Sequence, residues 1–189
     1  MVTEKKNENQ ADEMYYAIKY GDNSANLLFL QGGCLFFAYV VMMAYNIKQW
    51  THFAFFFHNL HVQILTVIIA TLIGVLLGYA QSVIRVHDIV NNAPKLAKLQ
   101  KTSSTFIGKI STAYSYWHTN TLRFNTLVLI LLITLWFISV LRFNTLEFNF
   151  VLLTGCVYAW TDYIIWKCYF KKKIYHTSDI ETYLDLDEN

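Results

Sequence analysis

Residues 64–80 read ILTVIIATLIGVLLGYA, with no charged side chain and no alternation of polar and apolar positions. As a helix this run is about 26 Å long at 1.5 Å per residue, close to the thickness of a bilayer's hydrocarbon core. A strand of a membrane barrel alternates outward apolar with inward polar residues, and these residues do not. In lipid every backbone N–H and C=O has to find a partner within its own segment, which a helix provides. The run therefore predicts a membrane-crossing helix. Upstream it continues through HNLH and FAFFF, so the span is drawn over residues 53–79, long enough to tilt or to begin at the interface.

Three more windows share this character. Residues 26–45 (NLLFLQGGCLFFAYVVMMAY) carry no charge, residues 126–141 (TLVLILLITLWFISVL) are bracketed by Arg123 and Arg142, and residues 148–169 contain one acid, Asp162, before Lys171, Lys172 and Lys173. With 55% apolar and 15% charged residues the whole chain is more apolar than a soluble domain. The expected fold is thus an all-α integral membrane protein, four transmembrane helices in a bundle. The opening residues MVTEKKNENQAD lack arginine and an apolar core, which argues against a cleavable leader, so the first membrane helix is expected to direct insertion.

Basic residues orient the bundle. Lys5, Lys6 and Lys19 precede the first span, Arg85, Lys95, Lys98, Lys101, Lys109 and Arg123 lie between the second and third, and the three lysines follow the fourth, while the other two connections hold only Lys48 and Arg142. Cytoplasmic segments retain such an excess during insertion. Both termini and the central connection are expected on the cytoplasmic side or its organellar equivalent. Five segments result: a polar stretch at 1–25 with a short amphipathic helix at 11–20, a hairpin at 26–80, a basic loop at 81–122, a second hairpin at 123–170, and a basic then acidic tail at 171–189. In the loop, Pro94 can open a helix at its first position. Leu96, Leu99, Phe106, Ile110 and Trp117 then recur at roughly helical intervals opposite lysines, the pattern of an amphipathic helix on a membrane surface or a partner. The hexapeptide LRFNTL occurs at 122–127 and 141–146, and suits either interface without implying duplication.

Few residues carry chemistry. His58 and His61 share one helical face, a spacing that can chelate a transition metal or offer an axial haem ligand, but no converging ligand set accompanies them. Asp162 is costly inside lipid unless paired, and so marks a candidate site, with Arg85, His87 and Lys167 as partners expected on the same side. Ala70, Gly74 and Gly78 recur every four residues, a stripe that admits a close helix, with Gly32 and Gly33 as the complementary surface on the first span. Cys34, Cys156 and Cys168 show no paired spacing. Phosphate-binding glycine loops, nucleophile elbows, CxxC and HExxH are absent. No cofactor is expected beyond bound lipid, and a net charge of +2 gives no reason to expect nucleic acid. The reading is a non-catalytic membrane subunit that packs with other membrane subunits or with itself. A homo-oligomeric pore built on Asp162, Thr161 and Thr154 is the alternative, and a metal- or haem-dependent enzyme using His58 and His61 the second.

Overall fold

A computed structural model describes residues 2–49, 60–102, 119–141 and 145–177, with side chains placed for 11–41, 61–98, 119–139 and 149–174. All regular structure among them is helical: α1 Val2–Gln49, α2 Leu60–Thr102, α3 Asn120–Leu141, α4 Thr145–Ile165, a π-helical turn Trp166–Phe170, and α5 Lys171–Thr177. Three stretches are long and apolar enough to cross a membrane, Ala11–Val41, His61–Lys98 and Asn120–Ser139. The short amphipathic stretch expected at 11–20 is not a separate helix but lies inside α1.

The second helix does not stop at the end of its apolar run. It continues past Tyr79 until Asn92, where φ −127° and ψ 21° leave the helical region. Nothing between 81 and 91 breaks a helix, whereas the ring of Pro94 excludes the carbonyl four residues back from its bond and disfavours helical geometry just before it. Beyond the kink the helix resumes with Pro94 in its first turn. It buries Ala93, Leu96 and Ala97 and exposes Lys95 and Lys98, an amphipathic segment. The remainder of the expected loop helix, 103–118, lies outside the described residues, as do His52 and His58 and the tail from 178.

Backbone contacts divide the chain into two compact units, the first made of Met1–Asn26, Gln81–Phe124 and Ile164–Asn189, the second of Leu27–Ala80 and Asn125–Tyr163. The second unit holds residues 27–41, 61–80 and 125–139 of these stretches, which contain no Asp, Glu, Lys or Arg. Its large exposed side chains, Leu30, Phe37, Leu72, Leu76, Leu127 and Ile133 among them, sit on α1, α2 and α3, and none lies on α4 between 149 and 163. There α4 buries Val151, Leu152, Thr154, Cys156, Tyr158, Ala159 and Asp162, each at most 6% exposed. In this unit α4 is thus the most buried helix, and the large apolar side chains of α1, α2 and α3 face outward.

Small residues determine this packing. A Cβ added to Gly74 would lie 2.8 Å from that of Val157, and one on Gly78 would lie 2.6 Å from the carbonyl oxygen of Tyr158. One on Gly32 would strike the Trp160 indole at 2.7 Å, while Gly33 faces open space. The glycines of α1 and α2 were expected to meet each other; the nearest atoms to Gly32, Gly74 and Gly78 all belong to α4. Helical spacing reveals which face is flat, but not which neighbour lies on it. Four hydroxyls, those of Thr66, Thr134, Ser139 and Thr154, donate to the carbonyl four residues earlier (2.7–2.8 Å), so no second helix is needed to satisfy them. The phenol of Tyr158 crosses to α3 and donates to Asn125 Oδ1 at 2.9 Å.

Candidate functional site: the buried polar layer of the first unit

The first unit has a polar interior. On α2, Gln81, Ser82, Arg85 and Asp88 are all 0% exposed. Positions 81, 85 and 88 recur at helical spacing, so one face of α2 carries an amide, a guanidinium and a carboxylate inward together with Ile89. Groups of this kind are stable out of solvent only when bonded, and their partners come from three other segments.

Asp88 holds the start of α3. Its Oδ2 accepts from the backbone N–H and the hydroxyl of Thr121, both at 2.6 Å, and its Oδ1 accepts from Asn120 Nδ2 at 3.1 Å. The first N–H groups of any helix lack partners within the helix, and a carboxylate there also meets the positive end of the helix dipole. Thr119 completes the cap, its Oγ1 accepting from Leu122 N–H at 3.3 Å, while the Tyr20 hydroxyl lies 3.1 Å from the same oxygen. Gln81 Nε2 donates to the Thr121 carbonyl at 3.0 Å. The beginning of α3 is therefore gripped by α1 and α2.

A second knot joins α1 to the end of α4. Asp22 accepts from Trp166 Nε1 at 2.8 Å and Lys167 Nζ at 2.9 Å through one oxygen, and from Lys171 Nζ at 2.5 Å through the other. Three donors on two oxygens require the ionised carboxylate. Spacing alone would not align them: positions 166 and 171 are five apart, and an α-helix turns in 3.6 residues. The π-turn solves this, with Lys171 N–H bonded to the Trp166 carbonyl, so the indole and the ammonium arrive on one side. Such turns are often found at functional positions. Gly21 lets the indole approach, since a Cβ there would be 2.5 Å from Trp166 Cζ2. Arg85 lies over this ring, its Cζ 5.4 Å from the centroid, and donates to Ser24 Oγ at 3.5 Å.

Of the residues singled out from sequence, Arg85 and Lys167 join this layer, and His87 does not: it is exposed and accepts from the Asn91 amide at 3.0 Å. Asp162 is fully buried in the second unit. His61 is exposed near the start of α2, and among the described residues no three His, Cys, Asp or Glu side chains converge as metal ligands. Asp22, Asp88, Gln81 and Trp166 were missed. The signal for Asp88 is its place seven residues after Gln81 and three after Arg85, one polar face continuing the stripe of Ala70, Gly74 and Gly78.

Replacing Asp22 by Asn is expected to destabilise the protein in detergent by about 1–2 kcal/mol, a part-exposed rather than buried loss because the lysines can turn to solvent. Equilibrium unfolding of Asp22→Asn, Lys171→Met and the double variant should return a coupling energy above about 0.5 kcal/mol; additive effects would show that the bridge contributes nothing.

No family model matches the chain, and neither a curated protein nor a solved structure shows significant similarity to it.

Proposed function

We propose that the chain is a four-span integral membrane protein with both termini and the central basic segment on the cytoplasmic side or its organellar equivalent, acting as a non-catalytic subunit that packs within a larger membrane assembly. One observation carries the reading. The boundaries between the two units fall at 26/27, 80/81, 124/125 and 163/164, so the chain passes between them four times. The three lysine- and arginine-rich segments belong to the first unit and most of each long apolar run to the second, the division expected of insertion by charge asymmetry. On this reading α4 is the fourth crossing.

The non-catalytic role is supported by what the buried polar groups touch. Asp88, Gln81, Asp22 and Trp166 bond helix termini and neighbouring helices, which is work of holding segments in place. The outward faces of α1, α2 and α3 are broad and apolar, and an open apolar groove of about 410 Å³ lies in the second unit, lined by Leu35, Ala38, Leu132, Trp136, Val151 and Leu152. Partner helices in lipid pack on such relief through shape and small residues. A pore reading needs Thr154, Thr161 and Asp162 on a water-filled path; Thr161 is half-buried, but Thr154 and Asp162 are 3% and 0% exposed, which favours packing.

Solubilised from native membranes in mild detergent, the tagged protein is expected to elute with at least one other integral membrane protein in fixed ratio. Elution as a lone monomer after native crosslinking would overturn the assembly role. Single cysteines replacing Lys48 and Lys98 test the topology separately, and should react with an impermeant maleimide from opposite sides.

A further inference from the structure

Between α4 and α5 the helix runs one residue out of step. Side chains about seven positions apart share a face of an α-helix, so Trp166, which is 0% exposed, should be followed inward by position 173. Lys173 is instead exposed, and the next residue, Ile174, is the buried one. The π-turn makes the difference. Lys171 N–H bonds to the Trp166 carbonyl, one residue further back than in an α-helix, so everything after Phe170 lags the α-helical course by one residue, a rotation of about 100°. In an uninterrupted α-helix the same sequence would turn Lys173 inward and Ile174 outward. Nothing local calls for the turn, since WKCYF contains neither Gly nor Pro. What spans it is Asp22, which accepts from Trp166 and Lys167 at its start through one oxygen and from Lys171 just past its end through the other. At α-helical spacing positions 166 and 171 diverge by about 140°, and Phe170 would take the place of Lys171 beside the indole. Trp166 is anchored separately, its ring packed on Gly21 with Arg85 over it.

We propose that Asp22 is the catch of a two-register device. With its carboxylate across the turn, the segment after Phe170 holds the π register. When that grip is lost the turn closes to α-helix, and α5 rotates by about 100° about its axis, exchanging Ile174 for Lys173 on its inward face. The two states are discrete, because a helix whose backbone bonds are all made can shift only by whole residues. Cys168, exposed and inside the turn, is the surplus residue of the π register. All of these groups belong to the first unit, and the device operates whether or not the chain docks in an assembly.

The test uses the full chain in detergent with its native thiols replaced (Cys34→Ala, Cys156→Ala, Cys168→Ser) and a single new one introduced by Lys173→Cys or Ile174→Cys. Cysteine suits either face, so its rate of reaction with a polar maleimide reports the register. With Asp22 present, the thiol at 173 is expected to react about tenfold faster than the thiol at 174, and Asp22→Leu is expected to reverse the order. An unchanged order overturns the catch. Equal rates in either background overturn it too, since they mean that α5 has come away rather than turned. Deleting residue 168 instead removes the surplus, so the original order should then hold with Asp22 or without it; reversal in the deletion variant overturns the device. Should Asp22→Leu alone not purify as a monodisperse protein, adding the deletion is expected to restore one, and failure to do so overturns the catch as well.

Discussion

Asp88→Ala should be among the most destabilising single substitutions in the chain, lowering stability by about 3 kcal/mol. The estimate follows from what the substitution leaves behind. Thr121 is 1% exposed, and its N–H and hydroxyl both donate to one Asp88 oxygen at 2.6 Å. Removing the acceptor strands buried donors, and each stranded donor costs about 1–3 kcal/mol. Loss of a capping group typically costs about 1 kcal/mol by itself. Asp88→Asn keeps one acceptor oxygen and should recover about half of the loss. Thr121→Val removes the hydroxyl but keeps the backbone bond, and should cost about 1 kcal/mol. Equilibrium unfolding in detergent, with the cycle of single and double variants, measures all three. If Asp88→Ala proves no worse than Thr121→Val, Asp88 is not the cap of α3. The damage should be local: amide exchange should rise first at Thr121, whose N–H alone among the first N–H groups of α3 loses the Asp88 acceptor.

The apolar windows were legible because lipid imposes a length and forbids charge, two constraints that act on a stretch of chain without reference to its neighbours. That is why three long apolar helices follow from composition alone, and why Asp162 could be recognised as anomalous before its burial was known. The polar layer was not legible for the opposite reason. Residues 81–91 carry an arginine, a histidine and an aspartate, and in a linear reading polarity after an apolar run signals a loop. In the fold the same residues continue α2, with Gln81, Arg85 and Asp88 turned inward, and what keeps them helical is the set of partners that Thr121, Ser24 and Trp166 supply from distant parts of the chain. Asp22 was overlooked likewise: its lysine and tryptophan donors lie more than 140 positions away. The π-turn that gathers those donors has no sequence mark of its own, since WKCYF would continue an α-helix equally well by propensity.

Gly78→Ala should cost about 3 kcal/mol, and Gly33→Ala nothing. Both glycines sit inside apolar helices, and both substitutions replace the poorer helix former with the better, a gain of about 1 kcal/mol by propensity. They differ in what the new methyl meets. At position 78 it would lie 2.6 Å from the Tyr158 carbonyl oxygen, 2.8 Å from Thr161 Cβ and 3.0 Å from the Asp162 nitrogen. Two of these three are backbone atoms of α4, which no rotamer change can move, so relief requires α2 and α4 to separate along a line that also holds Gly74 against Val157. Overpacking of this kind typically costs about 1–3 kcal/mol, with larger values where backbone must shift. At position 33 a Cβ meets nothing within 4 Å, so Gly33→Ala should be neutral or stabilising. Gly32→Ala should fall between them, because the Trp160 indole that it meets can tilt aside. Thermal unfolding of the three variants in one detergent gives the order directly. Were Gly33→Ala the worst of them, the open face of α1 would be covered by a neighbour that pure protein retains, and α1 would be the helix through which the subunit docks.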